Sequence, residues 1–152
     1  MKTQFASIAL ATALVSACGG SEPADPYADL GEETLLVRFE ANPDVEEGKC
    51  NPNVHYALRT TEEYILLNAN FVVGDNITGS GINLANLKDS GVARTTSELN
   101  MFDAYEQPCS ELNVQVQDLS CRTEAESDNT PCPSPQYEGT DMFGSFRGLP
   151  NY

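Results

Sequence analysis

The ten residues YILLNANFVV, running from Tyr64 to Val73, alternate with a period of two. Ile65, Leu67, Ala69, Phe71 and Val73 share one face, and Asn68 and Asn70 lie on the other. An extended strand points successive side chains to opposite sides, so this segment offers one face to a core and one to water. The same period returns on both sides of it. In Thr34 to Ala41 the apolar set is Leu35, Val37, Phe39 and Ala41, with Arg38 and Glu40 opposite. In Val54 to Arg59 it is Val54, Tyr56 and Leu58. In Glu111 to Asp118 it is Leu112, Val114 and Val116, with Asn113, Gln115 and Gln117 facing outward. Such one-sided strands belong to antiparallel sheets.

Turn-rich breaks at Asn42-Pro43-Asp44, Gly74-Asp75-Asn76 and Gly79-Ser80-Gly81 separate the runs. Thr95 to Tyr105 alternates through Leu99 and Met101 but also holds Thr95 and Glu98 at capping-box spacing, and a strand is favoured over a short helix. Ile82 to Lys88 suits a short strand or one helical turn, and Gly139 to Arg147 supplies a last strand with Met142, Phe143 and Phe146. Six or seven short strands across residues 34–152 predict an all-β domain. The expected form is a single antiparallel β-sandwich of immunoglobulin or fibronectin-III type, with a small β-barrel as the alternative.

The N-terminus reads differently. The free amine and Lys2 precede an uncharged apolar run of eleven residues, Phe5 to Val15, which small residues follow. A membrane-spanning helix needs roughly twenty residues, so the run fits the central region of an export signal. Val15-Ser16-Ala17-Cys18 resembles the bacterial lipobox. That resemblance covers about the first twenty residues. It implies cleavage between Ala17 and Cys18, a diacylglycerol thioether on the Cys18 thiol, and acylation of the new amine by a fatty acid such as palmitate. Residues 1–17 are then a signal peptide and 18–33 a lipidated tether, rich in Gly, Pro and acid. Residues 34–152 form the sandwich domain. Gly19 stands where an Asp retains Gram-negative lipoproteins in the inner membrane, so the resemblance favours the outer membrane.

Four cysteines remain beyond Cys18: Cys50, Cys109, Cys121 and Cys132. An even number in a small exported domain reads as two disulfides, and spacings of 59, 12 and 11 do not suit the close pairs of a zinc site. Cys109 and Cys121 flank one strand and would lie up to about 40 Å apart if it is fully extended, so they should not pair. If the strands after Cys50 and Cys109 are the second and penultimate of a Greek key, both cysteines sit at the same end. This predicts Cys50–Cys109, leaving Cys121–Cys132 to close the polar loop between them. Pairing of Cys50 with Cys121 and of Cys109 with Cys132 is the alternative.

Loss of Lys2 with the signal leaves 7 basic against 23 acidic residues, a net charge of −16. Nucleic acids and anionic headgroups would be repelled. No G-x-S-x-G elbow, P-loop, H-E-x-x-H or dinucleotide fingerprint is present, so no catalytic residues, cofactor or metal are assigned. His55, the only histidine, falls out of phase with Val54 and Tyr56 and is expected on an exposed outer face. Glu46-Glu47, Glu62-Glu63 and the stretch from Glu124 to Asp128 lack the calcium-loop pattern and read as solvated acid. The segment Pro108-Cys109-Ser110-x-Leu112-x-Val114-x-Val116 resembles small exported fibronectin-III-like proteins of enterobacteria described as interleukin-receptor mimics. The function expected is a non-catalytic, lipid-anchored sandwich that binds or scaffolds another envelope or extracellular protein. A small envelope hydrolase or a carbohydrate-binding accessory is the alternative.

Overall fold

The structure is a computed structural model describing residues 27–84, 88–89, 94–95 and 105–149. Its strands form two sheets and do not close into a barrel. The first joins β1 (Thr34–Glu40), β2 (Asn53–Arg59), β5 (Lys88–Asp89), β6 (Arg94–Thr95) and β9 (Ser134–Glu138), in the order β5-β6-β2-β1-β9. The second joins β3 (Tyr64–Val73), β4 (Asn76–Asn83), β7 (Asn113–Thr123) and β10 (Ser145–Arg147), in the order β10-β7-β3-β4. The two-residue β8 (Thr130–Pro131) pairs beside β7.

Over β1 to β7 this is the A-B-E-D and C′-C-F order of the immunoglobulin sandwich. The seventh place is split. β8 runs antiparallel to β7 at Ser120–Cys121, whereas β10 runs parallel to it at Asn113–Gln115. Between them the chain crosses to the first sheet, where β9 runs parallel to β1.

The predicted inner faces meet in one core. Leu35, Val37, Phe39, Val54, Tyr56, Leu58, Leu67, Ala69, Phe71, Val73, Leu112, Val114 and Val116 are all buried. Burying one large apolar side chain contributes about 1.5–3 kcal/mol, so the two faces together supply most of the drive to fold. Phe39 sits at the centre of an edge-on aromatic group, with ring centroids 5.8 Å from Phe71, 5.2 Å from Phe143 and 5.5 Å from Phe146. Tyr137 of β9 meets Phe146 of β10 at 5.1 Å, which closes the core where the tail laces the sheets together.

Several expectations are corrected. Gly79-Ser80-Gly81 is not a turn but the middle of β4, which pairs with β3 from Val73↔Asn76 to Leu66↔Asn83. The turn is Gly74-Asp75 alone, with Gly74 at φ 60, and a two-residue hairpin with glycine first suits the twist of its strands. A side chain at Gly79 would run into the Ala69 carbonyl and Asn70, so this glycine permits close pairing rather than a reversal. Ala41 falls outside β1 and is exposed. Ile65, in phase with the core, is 36% exposed beside a register shift between Tyr64 and Leu66. In the predicted last strand, Thr140–Met142 is a 3-10 turn and only Ser145–Arg147 is extended. Ser134–Glu138, to which the sequence assigns no element, is β9. Ile82 and Asn83 belong to β4, and Tyr105 bridges Cys50; residues 96–104 lie outside the described residues.

The domain also begins before Thr34. Leu30 is buried and packs with Leu36 and Ala57 on the outer face of the first sheet, next to Tyr27. Arg59 donates a hydrogen bond to the Leu30 carbonyl, and the Arg38 guanidinium lies 5.7 Å from the Tyr27 ring centre. The stretch from Tyr27 to Glu33, read as the end of a tether, is thus docked by two arginines and a small apolar patch.

Candidate functional site

Cys18 and Ala17 lie outside the described residues. The other four cysteines form the two predicted pairs, Cys50–Cys109 with Cα atoms 4.7 Å apart and Cys121–Cys132 at 4.9 Å. Cys121 lies within β7 rather than after it, and β7 is followed by three short strands, so it is not penultimate. The pairing holds nevertheless, because Cys50 opens the approach to β2 and Cys109 the approach to β7. Tyr105 exchanges two backbone hydrogen bonds with Cys50, at 3.0 and 2.8 Å, which helps seat this end of the sandwich. No described cysteine is left as a thiol nucleophile.

His55 faces outward as its phase requires, but it is half-buried rather than exposed, with 17% of its side chain accessible. Its cross-strand neighbour is Arg38, and its Nε2 stands 3.3 Å from Glu40 Oε2. Arg38 in turn donates from Nε to Glu138 Oε2 at 2.7 Å. The two arginines of this face are thus engaged, Arg38 with the Glu138 carboxylate and Arg59 with the Leu30 carbonyl, whereas His55 Nε2 makes no hydrogen bond.

The acidic pairs part company. Glu46 binds Lys49 at 3.0 Å, and Glu106 binds the same ammonium at 3.2 Å. Glu62 and Glu63 instead join Glu124 along an open cleft of about 870 Å³ that Thr61, Tyr64, Ile65, Thr123 and Ala125 complete. The cleft exists because β3 and β7 end together, with Tyr64 paired to Thr123. Burial, then the carboxylates of Glu62, Glu33 and Glu126, push the Tyr64 hydroxyl above its ordinary range. A second groove, of about 430 Å³, runs along Asp118, Ser120, Pro131, Pro133, Pro135 and Leu149. Among the described residues no three His, Cys, Asp or Glu side chains converge as a metal site.

Glu33 has no local signal in the sequence. At φ 50 it turns its carboxylate onto the β2–β3 connection. The carboxylate accepts from the Thr60 hydroxyl at 2.7 Å and from the Thr61 amide at 2.9 Å. The Thr61 amide, then the two hydroxyls, hold its pKa below the ordinary 4.5. A depressed carboxylate contributes stability above its unfolded pKa, and that contribution is lost as pH falls through the folded value. Glu33→Gln should therefore melt more nearly like the wild type below about pH 4 than at pH 6. Melting curves at both pH values check this, and an equal deficit at both would refute it.

The fold and these surfaces define a disulfide-linked all-β sandwich with an acidic cleft at one end. The sequence matches no family model, no curated protein and no solved structure.

Proposed function

We propose that this chain is a bacterial lipoprotein whose non-catalytic sandwich binds or scaffolds another protein of the envelope or the cell exterior. One observation carries the anchoring part of the reading. Cys50, Cys109, Cys121 and Cys132 pair among themselves, which leaves Cys18, at the end of Val15-Ser16-Ala17, as the odd cysteine. Two or more acyl chains on that residue would hold the domain at a bilayer durably, where a single chain would not. Gly19 in place of Asp favours the outer membrane. The strong negative charge disfavours nucleic acid and anionic lipid as targets and is compatible with a protein target. Crosslinking in intact envelopes, followed by denaturing capture of the full chain, should recover one specific protein. Recovery of the chain with no crosslinked protein would overturn the binding role.

The cleft between β3 and β7 favours a second reading, a carbohydrate-binding accessory or small hydrolase, because three glutamates and Tyr64 line one concavity. That reading requires envelope sugar fragments to bind the full chain and Glu62→Gln to weaken the binding.

A further inference from the structure

The two sheets end in edges of different character. β9 carries Pro135 and follows Pro131 and Pro133, and a proline withholds the amide an added strand would need. β5 is only two residues long. β4 is different: eight residues, NITGSGIN, with no proline and no charge, in a chain of net charge −15. Natural sheets usually block a long edge with lysine, proline or a bulge, because its unpaired amides and carbonyls template another strand. None of these devices is present on β4. Among the described residues its strand pairing is to β3 alone.

Its side chains add a second feature. Ile77 is 66% exposed, the most exposed large apolar side chain among the described residues. By strand alternation it shares the solvent face with Gly79 and Gly81, which are exposed and offer no side chain. We infer that β4 pairs antiparallel with β4 of a second copy, about a two-fold axis near Gly79. In that register Ile77 lies opposite Gly81 of the second copy and covers bare backbone, and the reverse contact repeats by symmetry. Asp75 then faces Asn83 of the second copy rather than another acid. An uncharged strand also gives no grip to a basic peptide, which the overall acidity would otherwise attract. The contact is self-complementary and uses one edge per copy, so it closes at two.

Sedimentation of the full chain in detergent tests this. Dimers should form, and association should strengthen between about 0.02 and about 0.3 M NaCl, as salt screens repulsion between two acidic bodies. Ile77→Lys should weaken association by about tenfold or more without moving the melting temperature, because the residue is exposed. Ile77→Val should keep it. A monomer at all salt concentrations, an open-ended polymer, or an Ile77→Lys chain that dimerises like the wild type would each overturn the inference.

Discussion

Replacing Cys18 with alanine is expected to abolish lipid labelling of the full chain. Thermal unfolding of the sandwich should not change. The first expectation follows from the chemistry: a thioether to diacylglycerol requires that thiol, and alanine offers no nucleophile in its place. The second follows from the pairing. Cys50 is bonded to Cys109 and Cys121 to Cys132, so removing Cys18 leaves no unmatched cysteine to scramble the others. The apolar run from Phe5 to Val15 is untouched, so export itself should survive. Growth with labelled palmitate reads the label, fractionation the export, non-reducing electrophoresis the disulfides and a melting curve the unfolding. Persistence of label in Cys18→Ala would defeat the lipoprotein reading. Loss of the two disulfides would instead show that Cys18 takes part in the domain.

How legible the fold was depended on how each strand signals itself. β3 and β7 alternate without interruption over Leu67 to Val73 and Leu112 to Val116, whereas β1 and β2 keep the period on their inner faces but also bury Leu36 and Ala57 on the outer one. β4 was hidden because two of its eight residues are glycines, which mark turns far more often than strand interiors. Here the reason for glycine is close approach to Ala69 and Asn70, a tertiary fact with no local signature. β8, β9 and β10 are two, five and three residues long, too short for a period to establish itself, and Pro131 and Pro135 argue locally against extension. The docked segment around Leu30 was equally hidden. One buried leucine amid acid and glycine does not read as a core element until Leu36 and Ala57 are seen beneath it.

The surfaces were less legible still. Glu62 and Glu63 could be named from the sequence, but their meeting with Glu124 depends on the pairing of Tyr64 with Thr123, residues separated by about half of the domain. The disulfides fared better, because a strand between two cysteines imposes a length that excludes direct bridging. That argument survives even though Cys121 lies inside the strand, since β7 remains extended from Asn113 through Thr123.

Removing Cys50 and Cys109 together should cost far more stability than removing Cys121 and Cys132. The first bridge spans a separation of 59 residues and the second a separation of 11. On the chain-entropy account, closing the longer loop contributes about 4 kcal/mol and the shorter about 3 kcal/mol. Local structure widens that gap. Cys121 and Cys132 lie at the β7–β8 hairpin, where Cys121↔Thr130 and Ser120↔Pro131 hold the strands together without the bridge. Cys50 and Cys109 instead join the start of β2 in one sheet to the approach to β7 in the other. Only the Tyr105 bridge reinforces that corner among the described backbone hydrogen bonds of Cys50. Cys50 is also fully buried, so Cys50→Ala with Cys109→Ala leaves a small void beside the core. A domain of this size has about 5–15 kcal/mol in total, so the loss takes a large share of it. The melting temperature of the double variant should fall by roughly 10–20 °C. Circular dichroism under non-reducing conditions measures it, with Cys121→Ala plus Cys132→Ala as the comparison. If that comparison variant melts lower, the corner between β2 and β7 is not where the sandwich is clamped.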